Sequence, residues 1–159
     1  MRELAGGVAV ITVGKGTDVT GLTATSVSSL CTRPPRLLVC VAQNSSSWRT
    51  LQRYPYFCVN LLRDTEQAIA NRFAGRDGLG GAARYVGAQW TTLATGTPVL
   101  DEALAAFDCE VTEMLPHCDH AIIIGRVCAV RTSTGSSPLV YWQGNYHPFE
   151  RHTAGAATD

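Results

Sequence analysis

The sequence predicts a mainly β protein, an antiparallel barrel with a few flanking helices. Three observations carry this. Runs rich in β-branched and aromatic residues recur along the whole chain. Clusters of Gly, Pro, Asn and Ser separate most of them. Helical patterns are few and do not alternate regularly with the strands, which argues against a parallel doubly wound sheet.

The elements follow in order. "GVAVITV" (7–13) is a first apolar strand. Glu3 precedes it, Lys15 follows it and no convincing cleavage site is present, so it does not read as a signal peptide. "TGLTATSVSSLCTRPPRLLVCV" (20–41) is strand-like but crowded with hydroxyls, and Pro34-Pro35 ends its first part at an extended corner. "RLLVCVA" (36–42) is the next strand. "SSSWRTLQRY" reads as a helix whose serines cap its free N–H groups. "YFCVNLL" (56–62) is a strand, and "DTEQAIANRFAG" a helix with Asp64 and Gln67 spaced as a capping box and Gly75 at its end. "GRDGLGGAARY" (75–85) reads as a mobile glycine-rich loop. "DEALAAF" after Pro98 is a short third helix. "FDCEVTEML" (107–115), "HAIIIGRVCAVR" (120–131) and "PLVYWQG" (138–144) complete the strands. Residues 1–150 form one domain, and 151–159, including "TAGAATD", a flexible tail.

Composition narrows the function. The 159 residues are 45% hydrophobic and 16% charged, which suits a globular domain with a sizeable core. Thirteen basic residues balance thirteen acidic ones, so no broad footprint for nucleic acid exists. No apolar window is long enough for a membrane helix. The six cysteines show no C-x-x-C spacing, and four lie in apolar runs as small buried hydrophobes. Without a signal peptide, reduced thiols and a cytoplasmic location are expected.

The chemistry concentrates in four places. Thr23, Thr25, Ser26, Ser28 and Ser29 crowd one strand-like run. A strand offering hydroxyls and backbone to a planar polar ligand wants this composition; a solvated edge strand would share it. Ser45, Ser46 and Ser47 open a helix, where free N–H groups and the dipole bind phosphate, or simply need capping. Arg72 and Phe73 end a helix, suited to pair with a phosphate and cover an aromatic ring, or in the case of Arg72 to complement the dipole. His117, Cys118, Asp119 and His120 are consecutive and all able to bind metal. A structural zinc site wants four ligands, and no second Cys/His cluster lies elsewhere, so no metal is expected.

Taken in order, "GVAVIT", "GLTATSVSSLCTRPPRLLVCV", "NSSSW", "FCVNLL", "Q-x-x-A-x-RFAG", "G-x-PVLDEALAAFDCEV", "CDHAIIIGRV" and "PLVYWQGNY" resemble the flavin reductase-like family over roughly residues 6–147. These are the small reductase components that supply reduced flavin to two-component monooxygenases. The resemblance implies an FMN-binding split β-barrel, usually a homodimer with flavin near the subunit interface. It implies hydride transfer from NADH or NADPH to FMN or FAD. It places Thr23, Ala24, Thr25, Ser26 and Val27 along the isoalloxazine ring, Ser45, Ser46 and Ser47 at the flavin phosphate, and Arg72, Phe73 and Ala74 of "RFA" near the flavin. It makes His120, the histidine of the family's "GDH", the catalytic candidate, and sets Tyr146 near the nicotinamide. Two departures stand out: Thr25 where the family often has Asn, and Cys118 in place of the glycine of "GDH". A flavin carrier or sensor without turnover, or a split-barrel flavin oxidase with an organic substrate, remain alternative functions on the same fold.

Overall fold

The computed structural model describes residues 1–149. The tail expectation for 151–159 therefore lies outside the described residues. The main sheet has seven strands: β2 (Ala9–Lys15), β3 (Asp18–Ala24), β4 (Val27–Thr32), β5 (Pro35–Ala42), β6 (Tyr56–Leu61), β9 (Ala105–His117) and β10 (His120–Thr132). Their order is β3-β2-β6-β9-β10-β5-β4, and each pairing is antiparallel.

The sheet closes because one face of its strands shares a core. Ile11 and Val13 of β2, Val39 and Val41 of β5, Phe57 and Val59 of β6, Cys109 of β9 and Ile123 of β10 form one cluster with Leu51. Leu51 lies on α1 (Ser46–Arg53), which plugs this interior. Strands β3 and β4 are the two edges of the sheet, yet they are neighbours in sequence. Only Thr25 and Ser26 separate them. The barrel is thus split between β3 and β4, and the hydroxyl-rich segment bridges the split.

β2 is buried on both faces, which explains its unbroken apolar run. Its outward side chains, Val8 just before it and Val10, meet a second core with Phe73, Leu100 and Leu139. α2 (Gln67–Phe73) and a three-stranded sheet cover this side. That sheet runs β1 (Gly6–Gly7), β11 (Leu139–Trp142) and β12 (Asn145–Pro148). Strands β7 (Trp90–Thr92) and β8 (Pro98–Leu100) form a small ribbon. Buried polar groups pin the ribbon to the barrel. Asn60 Oδ1 accepts from the Leu100 N–H at 2.8 Å, and Asp108 accepts from the Thr95 N–H at 2.7 Å.

The structure corrects three expectations. "DEALAAF" is not a helix: residues 101–104 turn, and Ala105 begins β9. The Leu104 N–H donates to the Leu61 carbonyl at 2.9 Å, so sheet pairing takes the backbone that a helix would need. The capping box at "DTEQ" is shifted by one. The Glu66 carboxylate accepts from the Arg63 N–H at 2.7 Å, and a 3₁₀ turn at Asp64–Glu66 precedes α2. The glycine-rich loop is tied down. Arg84 donates to the Gly21 carbonyl at 2.6 Å and the Tyr85 hydroxyl to the Thr20 carbonyl at 2.6 Å, while Gly81–Tyr85 forms a 3₁₀ turn.

Glu66 yields a pH prediction. Burial pushes its carboxyl up from 4.5 to about 6, opposed by the Arg63 N–H and guanidinium. One of its oxygens, Oε1, is buried with no partner among the described residues. The folded state therefore holds its proton more tightly than the unfolded chain. This contribution is fully present below pH 4.5 and is lost as pH rises through about 6. Glu66→Gln keeps an acceptor for Arg63 and removes the buried charge. It should stabilise the protein by about 1–2 kcal/mol at pH 7 and by nothing below pH 4.5, read from denaturant melts at both pH values.

Candidate functional site

The site is built around the bridge between the two open barrel edges. Thr25 and Ser26 are both exposed. On one side, Thr23, Ala24 and Thr25 line a cavity of about 190 Å³ with Val8, Ala74, Arg76, Tyr141 and Tyr146. Thr25 and Ser26 also line an adjoining groove of about 570 Å³ with the first residues of the chain, Tyr141 and Gly144. Val27 opens instead onto an apolar cavity of about 420 Å³ inside the split, with Leu37, Leu61, Phe107 and Val127.

Register places the other candidates on the rim of the same bridge. The Ser26 hydroxyl points to the Cys40 carbonyl at 3.5 Å, near the end of β5. Ala42, the last residue of β5, pairs with His120, the first of β10. The serines follow directly. Ser45 is the N-cap of α1: its hydroxyl accepts from the Trp48 N–H at 3.1 Å and donates to the Ala42 carbonyl at 2.7 Å. The Ser46 hydroxyl lies 2.9 Å from that of Thr20 on β3, and Ser47 is buried. Two of the three hydroxyls are thus engaged within the protein. What the helix start offers outward is the N–H of exposed Ser46 and the positive end of the dipole, while Ser47 lies behind it in the interior.

His120 sits across a two-residue turn from His117, with Cys118 and Asp119 at the tip. His120 Nδ1 lies 2.9 Å from Asp119 Oδ1. A carboxylate only accepts, so Nδ1 donates this bond, and in the neutral ring Nε2 is then the acceptor. The same contact holds the Asp119 carboxyl below the usual carboxylate range. Gln43, which the sequence did not single out, fixes this turn. Its side-chain amide donates to the Cys118 carbonyl at 2.9 Å and the His120 carbonyl at 2.7 Å. Its backbone N–H donates to the Asp119 carbonyl at 2.9 Å. The loop that carries the serines is therefore locked to the turn that carries His120. Among the described residues, no three His, Cys, Asp or Glu side chains converge as a metal site.

Cys118 has φ +52°, the left-handed region that favours glycine. Cys118→Gly should stabilise the protein by about 0.5–1 kcal/mol, seen as a higher melting temperature. An unchanged or lower melting temperature would mean the turn carries no strain.

The "RFA" residues divide. Ala74 lines the 190 Å³ cavity. Phe73 is 2% exposed, its ring edge-on to Tyr85 at 5.1 Å and tilted on Trp90 at 5.6 Å. It supports β3 from the outer core, its ring packed inside where the sequence suggested a ring facing a ligand. Arg72 donates to the Val86 carbonyl and faces Asp77 at 3.7 Å, so it braces the 75–87 loop instead of lining the cavity. The sequence reading missed Arg76 and Tyr141. Tyr141 pairs directly with Tyr146 in the β11–β12 hairpin, their rings 5.1 Å apart. The signal was in "YWQGNY": Gln143 and Gly144 both have positive φ, a tight two-residue turn that sets the two tyrosines opposite each other.

A split barrel with a hydroxyl bridge, an adjacent helix start and an aromatic-lined cavity is the architecture of a flavin-binding reductase. The flavin reductase like domain matches residues 1–150, and the chain belongs to that family. It is 32% identical over 158 residues to the FMN reductase (NADH) RutF of Cronobacter turicensis, covering 99% of this chain and 94% of that one. Among solved structures it is similar to BorF, the flavin reductase component of a bacterial two-component tryptophan halogenase, with TM-score 0.86 and 30% identity over 94% of each chain. It is also similar to the NADH:FAD oxidoreductase SgcE6 of Streptomyces globisporus, with TM-score 0.87 and 26% identity over 94% of this chain and 89% of that one.

Proposed function

We propose that the protein is an NADH-dependent flavin reductase that delivers reduced flavin to a partner monooxygenase or related flavin-using enzyme. The observation that carries this is the Thr25–Ser26 bridge, which lines two adjoining cavities and shares its rim with the α1 start and His120. The residues present fit a flavin. Backbone and a Thr25 hydroxyl with no partner among the described residues suit the polar edge of a ring system, and the exposed Ser46 N–H with the helix dipole suits a phosphate. When bound, the flavin supplies the hydride acceptor and NADH the donor, so no side-chain nucleophile is needed.

The chain's own residues then bind and orient. Thr23 already gives its hydroxyl to the Ala70 carbonyl at 2.6 Å, so it fixes β3 to α2 and contributes backbone to the cavity wall. Thr25 and Ser26 would hold the flavin ring. His120, held by Asp119, would accept at Nε2 from a nicotinamide carboxamide and so orient the hydride donor. Tyr146 would flank the donor. The family relatives that use FMN and NADH favour this pair for the present chain.

The proposal includes a homodimer, with a second copy against the apolar split lined by Val27, Leu37, Leu61, Phe107 and Val127; exposed Val130 at the same cavity supports it. Sedimentation at micromolar concentration tests this; a monomer with full activity contradicts it. The cysteines of the described residues are all free thiols, which supports a reducing, cytoplasmic setting. No helix among the described residues is long and apolar enough to cross a membrane. Steady-state oxidation of NADH with added FMN, and no other substrate, tests the proposed activity. A carrier would bind FMN without consuming NADH, and an oxidase would need an organic substrate.

A further inference from the structure

The end of α2 aims an arginine at the mouth of the 190 Å³ cavity. Gly75, at φ +74°, follows the helix. The Gly75 N–H donates to the Arg72 carbonyl at 3.0 Å, and the Arg76 N–H to the Asn71 carbonyl at 3.2 Å. This paired arrangement is a Schellman motif, which closes the helix and reverses the chain. The backbone of Arg76 is therefore fixed. Its guanidinium carbon lies 5.5 Å from the centre of the Tyr146 ring.

Three arginines leave this region, and two are spent. Arg72 is held by the Val86 carbonyl and Asp77. Arg84 is held by the carbonyls of Gly21 and Leu79. Arg76 gives one N–H to Asn71 Oδ1 at 3.0 Å and meets no carboxylate among the described residues. A guanidinium has five donors, so most of its capacity faces outward. It is also the one charged side chain on the described lining of this cavity. The cavity, at about 190 Å³, is smaller than the space a whole dinucleotide needs. It suits a ring or a phosphate entering beside the tyrosine pair.

We propose that Arg76 is a positioning residue for the hydride donor: its guanidinium, supported on Tyr146, binds a phosphate of the nicotinamide dinucleotide. This rests on the flavin reductase reading. In that reading the flavin phosphate has its own donor at the start of α1, none of whose residues lines the Arg76 cavity, which leaves Arg76 for the second nucleotide. A bidentate guanidinium–phosphate contact gives both strength and orientation.

The test compares the wild-type protein with Arg76→Met and Arg76→Lys. The KM for NADH at saturating FMN, kcat, the FMN and riboflavin dissociation constants and the melting temperature are measured. Arg76→Met should raise the KM for NADH about tenfold, with kcat and both flavin dissociation constants within about twofold. Arg76→Lys should recover part of the loss, and the salt dependence of KM should flatten in Arg76→Met. Because the side chain is exposed, the melting temperature should hold. An unchanged KM overturns the inference while leaving the reductase reading intact. So does a rise in the FMN dissociation constant without one for riboflavin, which would give the contact to the flavin phosphate. If the wild-type protein consumes no NADH with any flavin, the reductase reading fails first and this inference with it.

Discussion

Replacing His120 with alanine is expected to lower kcat/KM for NADH by about ten- to a hundredfold while FMN affinity stays within about twofold. The side chain begins β10 on the rim of the bridge, exposed and held by Asp119. Among the described residues its ring makes no other hydrogen bond, so the loss should be kinetic and not a loss of fold. Its backbone position is set by Gln43, whose amide grips the carbonyls on either side of Asp119. Asp119→Asn should therefore give a smaller loss than His120→Ala, because the ring stays in place while its proton partner weakens. Stopped-flow reduction of bound FMN checks both variants. Collapse of FMN binding in His120→Ala, with NADH kinetics preserved, would move His120 from the donor to the flavin.

The second large effect is at Gly21, in the middle of β3. A Cβ there would lie 2.6 Å from the Ile11 carbonyl oxygen and 2.8 Å from the Phe73 ring. Neither neighbour can yield cheaply. Ile11 is inside the barrel pairing of β2, and Phe73 is wedged against Tyr85 and Trp90. Gly21→Ala should cost about 2 kcal/mol, or roughly 4–8 °C in melting temperature. It should also raise the KM for NADH, because pushing Phe73 moves the end of α2, which carries Ala74 and Arg76 to the cavity. A melt that does not shift would show that the outer core is loose enough to absorb a methyl group.

How much of this was legible in the sequence depended on how local the cause was. The strands were readable because β-branched runs such as "GVAVITV" and "HAIIIGRV" mark buried faces directly. α1 was readable because Ser45 caps it from the adjacent position. "DEALAAF" misled because good helix formers there meet a carbonyl of β6 that is distant in sequence, and tertiary pairing outweighs propensity. The hydroxyl-rich stretch read as one strand because a bend between two edges leaves no local mark when exposed Thr and Ser suit either state. The fates of Phe73 and Arg72 could not be read at all. They are decided by Tyr85, Trp90 and Val86, which reach them only through the fold. Arg76 was half legible: Gly75 marked the helix end, but only the hairpin that brings Tyr146 to it shows where the next residue points.

The most direct test of the central claim is the loss of reduced-nicotinamide absorbance with FMN, FAD or riboflavin added one at a time. Rapid NADH oxidation that depends on added flavin and needs no other substrate is predicted, with FMN at least as effective as riboflavin if the α1 start holds a phosphate as proposed. Tight flavin binding without NADH consumption would contradict it.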